Sequence, residues 1–417
     1  FMALAFCLHF PQLKTWQAVL ISLLLASNPV SIYQSLSFYV DGQVASILTL
    51  LLLAFLLAFI QSDGISLISI FATLLIGLNL KFTATAYVGL ITIGLLAAGF
   101  YFVKRTLANI PNIQLVSANR LIGNSQTLST KPRRFRRLLA VTIAGVFMGM
   151  LVAGINPYVT NLINYRNPFY PVWGDSVYNQ EYIVGSQMPS NFEGKNRFQK
   201  LYLSIFSRSQ NTYQKPTGRL KFPFSVTGSE IKAFLTTDIR IGGFGPLYGA
   251  STILCGIAMF LLFGANRRSG WIALFLSGLV FASAAINPEV WWARYSPQLW
   301  LIPVILSIAA LLVKQKRTQL VSYLLMGTLL INLVLVSGAY LVGNFRNTEQ
   351  FDHILTRLSN RQEKILVYYG PLDATATTLD SYHIQYQVVP VLEQLPCPKP
   401  LSPGAYYSFA EACPKSP

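Results

Sequence analysis

The stretch DGQVASILTLLLLAFLLAFI, residues 41–60, carries one charged side chain, Asp41 on its first residue, and is apolar from there on. As a helix it reaches ~30 Å, enough to cross the hydrocarbon core of a bilayer. Working outward, further apolar runs occupy 64–80, 85–103, 138–155, 247–264, 271–286, 298–313 and 320–343. A shorter run lies at 16–28, and the opening FMALAFCLHF reads as the end of a span whose beginning is absent. Composition agrees: 53% hydrophobic against 11% charged residues is far from the balance of a soluble domain of this length. The fold class expected is an all-α polytopic integral membrane protein with about ten transmembrane helices.

Lys and Arg concentrate in the short cytoplasmic loops of membrane proteins, which orients the chain. The connection Lys104 to Arg137 holds eight basic residues and no acid, including KPRRFRR, and ANRRSG (265–270) and KQKRTQ (314–319) are basic too. These three segments are expected on the cytoplasmic side. Alternation then exports the long loop 156–246, the loop NPEVWWARYSP (287–297) and the tail 344–417, and puts the turn at Lys81 on that outer side as well. The chain divides accordingly into N-terminal spans (1–155), a large exported loop (156–246), C-terminal spans (247–343) and an exported tail. KPRRFRR reads as a topology signal and an anchor to anionic membrane lipids, so the net charge of +17 calls for no nucleic acid.

Loop 156–246 is too long to be a mere connector. Within it NRFQKLYLSIFSRSQ sets Phe198, Leu201, Tyr202, Ile205 and Ser209 on one helical stripe, with Arg197, Lys200 and Arg208 around the other side. That pattern fits a helix lying in the membrane surface; a helix packed on the loop's own core is the plainer alternative. TGSE (227–230) has capping-box spacing before IKAFLTTDIR, and GGFGP (242–246) is expected to break that helix and act as a hinge at the membrane surface. The tail pairs the helical TEQFDHILTRLSN with the strand-like KILVYY and IQYQVVPVL, a small α/β appendage. A disulfide between Cys397 and Cys413 would suit an exported segment, while Cys7 and Cys255 sit in apolar runs as packing residues.

Standard catalytic signatures are scarce. His9, His353 and His383 have no Glu or Cys at ligand spacing, and no Walker loop, D-x-D or G-x-S-x-G occurs. No cofactor and no tightly held metal is expected, with a loosely bound divalent ion left open. What remains is a set of charges at the outer ends of spans: Asp41, Lys81, Arg166, Asp175, Glu289 and Arg294. Singly, each is as well explained as an interfacial residue. Together they supply what transfer of a sugar from a lipid phosphate to a hydroxyl requires, a carboxylate for the proton and cations for the departing phosphate.

Four stretches carry a resemblance: YVDGQVASILTLLL (39–52), GLNLKFTATAYVGL (77–90), NPYVTNLINYRNPFYPVWG (156–174) and NPEVWWARYSPQLWLIP (287–303). Their order resembles polytopic glycosyltransferases of the GT-C superfamily, which includes protein O-mannosyltransferases and lipid A aminoarabinose transferases. The resemblance implies a multi-pass protein of the bacterial inner membrane with its loop and tail on the periplasmic side. It implies a polyprenyl-phosphate sugar as donor and a lipid, glycan or protein as acceptor. Asp41 matches an acid of the family's cavity, Lys81 a lysine near the carrier phosphate, and Arg294 a further phosphate partner; Arg166 and Glu289 join the binding set by position alone. The family's principal acid lies in its first external loop, which would precede residue 1, so Asp41 stands as a provisional catalytic acid or base. Two other classes stay open: a transporter or flippase of lipid-linked saccharides, and a non-catalytic membrane assembly protein. Convergence of Asp41, Lys81 and Arg294 on one cavity open to the outer leaflet would favour the enzyme.

Overall fold

The computed structural model describes residues 1–61, 63–108, 126–170, 188–212, 216–361, 363–369, 375–402 and 404–409, and side chains outside 102–132. Asp175 and Cys413 lie outside the described residues, as do most side chains of the basic segment Lys104–Arg137. Two compact units divide the chain, Phe1–Tyr340 and Leu341–Pro417.

The first unit is helical. It opens with α1 (Met2–Leu8), α2 (Thr15–Ala26), α3 (Pro29–Tyr33), α4 (Asp41–Ile60), α5 (Gly64–Leu80), α6 (Phe82–Ala108) and α7 (Gln126–Phe147). The last of these passes through π-helical turns at Met148–Ala153 and Ile155–Val159 into the short α8 (Thr160–Tyr165). After a stretch of loop come α9 (Arg197–Phe206), α10 (Gly228–Ala233), α11 (Tyr248–Ala265), α12 (Arg267–Ala285), α13 (Leu301–Leu312) and α14 (Lys316–Arg361), whose residues from Leu341 on belong to the second unit.

Six of these helices, α4, α6, α7, α11, α12 and α14, are long and apolar enough to cross a membrane. Their outward faces are apolar too: Ile93, Phe100, Ile143, Phe260 and Ile331 are exposed, and only 22% of the Arg133–Ala153 window is buried within the protein. Surfaces of that kind are suited to lipid, since in water they would form large apolar patches. The runs at 16–28, 64–80 and 298–313 do form apolar helices, yet α2, α5 and Pro297–Leu312 are shorter than the six. The run at 138–155 is interrupted because Asn156 leaves helical geometry just before Pro157, whose ring cannot continue the ladder.

The two ends of the bundle differ in character. Asp41 begins α4 and Ile60 ends it, ~30 Å apart along the axis. At the Ile60 end, His9 hydrogen-bonds Gln61, and Gln12 shares a cleft of ≈ 610 Å³ with Asn266 and Lys314, in the basic turns before α12 and α14. Phe135, beside Arg133 and Arg134, meets Phe100 and lies next to Phe59 across Gly99. The basic segments described here therefore share the end opposite Asp41.

Residues 188–246 fold into compact structure, with differences from the sequence reading. α9 is amphipathic, but its stripe is split: Leu201 is buried while Phe198 and Tyr202 remain exposed, and the helix stops at Phe206, short of Ser209. The TGSE capping box forms, with Glu230 accepting from Thr227 N at 3.0 Å. The helix it starts is brief, because the chain turns at Phe234 and enters β2 (Ile239–Ile241), antiparallel to β1 (Gln210–Asn211). Buried Glu230 also accepts from the Lys221 ammonium, which donates to the Ser225 and Pro246 carbonyls at 2.8 and 2.7 Å. Nor is GGFGP a hinge at the membrane surface. Residues 239–250 are all buried, and Asn332 in the middle of α14 clamps the turn, accepting from Leu247 N at 2.9 Å and donating to the Phe244 carbonyl at 2.7 Å. Gly245 takes φ of +106° there, and a Cβ would come within 2.3 Å of Asn332.

The second unit is a small α/β fold with its own core. Its sheet has strand order β4 (Tyr386–Val388), β3 (Ile365–Tyr368), β6 (Ala405–Phe409), β5 (Lys399–Ser402), with β3 and β4 parallel and the other pairs antiparallel. Ile365, Val367 and Tyr407 of the sheet pack with Leu355, Leu358 and Leu379, the last from α15 (Thr375–Ser381). The parallel pair needs a crossover, which α15 supplies. Cys397 is disulfide-bonded, and Cys7 and Cys255 are free and buried.

Candidate functional site

Three short stretches, far apart in sequence, bring charge to the Asp41 end of the bundle. The first is the entry to α4. Asp41 occupies its first turn, where the helix dipole favours a carboxylate. Gly42 lets α3 lie against that turn: a Cβ would be 2.7 Å from Ser31 Cα, and the Ser31 hydroxyl donates to the Gly42 carbonyl at 2.8 Å. Gln34 closes the corner by accepting from Gly42 N at 3.1 Å.

The second stretch is the junction of α5 and α6, where Lys81 sits extended between the two helices. This junction is held from the NPY element that follows α7. The Tyr158 phenol donates to the Leu78 carbonyl, lies 2.7 Å from Thr85 Oγ1 and presents its ring edge-on to Phe82, so it grips both sides of Lys81.

The third is the turn between α12 and α13. Arg294 lies in a 3-10 turn, Ala293–Tyr295, pinned by the Trp292 indole donating to the Ile239 carbonyl at 2.9 Å and by the Tyr87 phenol donating to the Tyr295 carbonyl at 2.5 Å. Asn287 in turn donates to Tyr87 at 2.7 Å.

Asp41 is where the three meet. Lys81 Nζ is 2.7 Å from Oδ1 and Arg294 Nε is 2.9 Å from Oδ2. The carboxylate side chain is 3% exposed, against 28% for Lys81 and 13% for Arg294, so the anion is at the bottom and the cations border the accessible side. Aromatic rings surround the cations: Arg294 Cζ is 4.1 Å from the Tyr39 ring and 5.4 Å from Tyr295, and Lys81 Nζ is 4.8 Å from Tyr295. Arg294 binds Asp41 through Nε, and among the described residues its two Nη groups make no hydrogen bond. A planar donor fork left open beside an ammonium suits a phosphate or carboxylate.

A second guanidinium extends the site. Arg240, on β2, stacks on the indole of Trp292 at 4.1 Å, the ring that Arg294 approaches at 5.0 Å. Arg240 pairs with Asp238 at 2.8 Å and donates to Thr212 Oγ1 at 2.9 Å. The three cations and two carboxylates leave one positive charge in excess. Burial lowers the Arg294 pKa, and Asp41 together with Tyr295, Tyr39 and Asp238 more than offsets it, so the net shift is upward; Arg240 is shifted down by burial, only partly countered by Asp238. Both stay charged, since arginine titrates far above neutrality. Burial likewise raises the phenol of Tyr33, at the end of α3, and of Tyr295.

Of the residues the sequence singled out, Asp41, Lys81 and Arg294 come together. Arg166 does not join them: it is exposed after α8, with φ of 55°. Glu289 is half-buried and accepts from the Trp291 indole two residues on, bracing the aromatic turn that ends in Arg294. Arg240, Asp238 and Tyr158 were missed. The first two sit in a stretch whose capping signal reads as helix, and Tyr158 lies in a quoted element whose partner across the bundle no local pattern reveals. No group of three or more His, Cys, Asp or Glu able to hold a metal occurs among the described residues. Compared with protein-family models, curated proteins and solved structures, the chain matches none.

Proposed function

We propose that the Asp41–Lys81–Arg294 cluster binds the phosphate of a polyprenyl-phosphate sugar, and that the chain transfers that sugar to an acceptor hydroxyl on the exported side of the membrane. The observation that carries the reading is the convergence itself: three charges from three distant stretches meet at one end of an apolar helical bundle, with the cations on the accessible side. Burying a carboxylate with two cations is costly unless the arrangement is used, because ion pairs withdrawn from water seldom add net stability. The basic segments at the opposite end fit a cytoplasmic side there, which supports reading the cluster as exported.

The geometry also refines the roles. With both oxygens of Asp41 held by cations, it acts as an anchor and a positioning residue. Lys81 and the open fork of Arg294 are the groups that touch the donor phosphate and take up charge as its bond to the sugar breaks. No metal is needed in this scheme, and the aromatic rings around the cations exclude water and strengthen their field.

The test is glycosyl transfer in membrane vesicles of checked sidedness, with radiolabelled polyprenyl-phosphate sugars and extracted acceptors. Lys81→Ala and Arg294→Lys are each expected to reduce transfer about tenfold to a hundredfold, the value of one charged hydrogen bond to phosphate. Label that crosses the membrane unchanged, with the variants behaving as wild type, would favour a lipid-linked saccharide transporter.

A further inference from the structure

Both oxygens of Asp41 are taken by cations, and transfer to an alcohol requires a base. Among the described residues the site has one other carboxylate. Asp238 Oδ2 accepts from Arg240 Nη2 at 2.8 Å and from Thr212 Oγ1 at 3.0 Å, while Oδ1 is buried with no hydrogen-bond partner. An unmatched carboxylate oxygen away from water is a costly feature, and a ligand that brings a donor to it removes the cost. The Asp238 side chain is 18% exposed, so the group reaches the accessible surface at its edge.

Nearby groups point the same way. The Tyr33 phenol is buried without a partner and lies by Gly243, where Ala293 packs so closely that a Cβ would be 2.8 Å from it and 3.3 Å from the Tyr33 hydroxyl. The Thr236 hydroxyl is also buried and unpartnered. Two residues apart, Thr236 and Asp238 both present unmatched oxygen atoms, while Tyr33 adds a third close to the same strand. Such a group is what a hydroxyl-bearing molecule would complete. The Trp292 indole links this place to the phosphate cations, since the guanidinium that holds Asp238 and the one that holds Asp41 lie against that one ring.

We infer that Asp238 is the proton acceptor for the incoming alcohol. The alcohol oxygen bonds to the anomeric carbon, the bond from that carbon to the phosphate oxygen breaks, polyprenyl phosphate leaves with the electron pair, and the alcohol proton passes to the Asp238 carboxylate. Arg240 and Thr212 hold that carboxylate in place. The assignment rests on the transferase reading above and adds to it the group that handles the acceptor.

The experiment separates donor binding from proton transfer. Full-length protein carrying Asp238→Asn or Asp238→Glu is compared with wild type for transfer from radiolabelled polyprenyl-phosphate sugar, and for binding of polyprenyl phosphate alone. Asp238→Asn keeps the size of the side chain and an acceptor for Arg240, and is expected to lower turnover about 100-fold or more while polyprenyl phosphate binds within about threefold of wild type. Asp238→Glu is expected to recover part of the turnover. Retained phosphate binding also certifies that the site has folded. Wild-type turnover in Asp238→Asn overturns the assignment and leaves the transferase standing; equal loss of binding and turnover overturns it in favour of a structural role; and a wild type that consumes no donor overturns both.

Discussion

At the scale of single residues, polar side chains in this chain are seldom left to themselves. Asp63 shows the simplest case. It caps α5, with Oδ1 accepting from Ser66 N at 2.9 Å, and the Ser66 hydroxyl bond lowers its pKa from the ordinary value of 3.8 against the opposing effect of burial, with the backbone bond adding to the lowering. A carboxylate whose folded pKa is depressed contributes stability above its unfolded pKa and loses it as pH falls through the folded one. Asp63→Ala is therefore expected to destabilise detergent-solubilised protein by about 1 kcal/mol at neutral pH, the usual value of a helix cap. Thermal unfolding against pH checks this: the gap between wild type and variant should narrow below pH 3.8, and a gap that widens on acidification would refute the account. The residue scale is also where the sequence was most and least informative. Asp41, Lys81 and Arg294 stood out because a charge at the end of an apolar run is conspicuous. Glu289 stood out for the same reason and turned out to brace Trp291, since a charge near the right end of a span says nothing of which way its side chain turns.

Among elements, the apolar runs were legible because length and hydropathy alone set a helix in lipid, and what they could not convey is how broken elements are held. The NPY element after α7 is an instance. Its Tyr158 hydroxyl spans the α5–α6 junction by bonding Leu78 and Thr85, so the aromatic segment acts as a clasp on Lys81 from outside the site. Tyr158→Phe keeps the ring against Phe82 and removes only the hydroxyl. Its expected effect is a stability loss of about 1 kcal/mol, together with a weaker grip on polyprenyl phosphate, because Lys81 is freed to leave Asp41. Phosphate binding unchanged alongside a normal stability loss would show that the clasp serves the fold alone. The strand carrying Arg240, with Asp238 just before it, was hidden by a different effect. TGSE does start a helix, but tertiary pairing with Gln210 and Asn211 overrides the helical continuation within a turn.

For the molecule as a whole, the division at Tyr340 separates two kinds of core. In Phe1–Tyr340 the helices carry apolar residues on both their buried and their outward faces, whereas Leu341–Pro417 buries a compact cluster beneath a four-stranded sheet. A unit with its own core is expected to fold without its neighbour. A fragment beginning at Leu341 should unfold cooperatively on heating, and Leu379→Ala, which empties a fully buried position, should cost it about 2–4 kcal/mol. A fragment with no cooperative transition would tie this unit's stability to the rest of the chain. Sequence alone placed two of the four strands here, Ile365–Tyr368 and Tyr386–Val388; the pair near the Pro-rich end lacks an apolar alternation strong enough to declare itself. The Asn332 clamp, finally, sets an order of manufacture. The ribosome delivers Phe244 and Leu247 well before Asn332, and Asp41 and Lys81 long before Arg294, so a half-made chain holds polar groups whose counterparts are still unsynthesised. Until α14 is threaded in, the buried turn has nothing to close on. Quality control that inspects nascent membrane proteins for unmatched polar groups would find this one incomplete until α14 arrives.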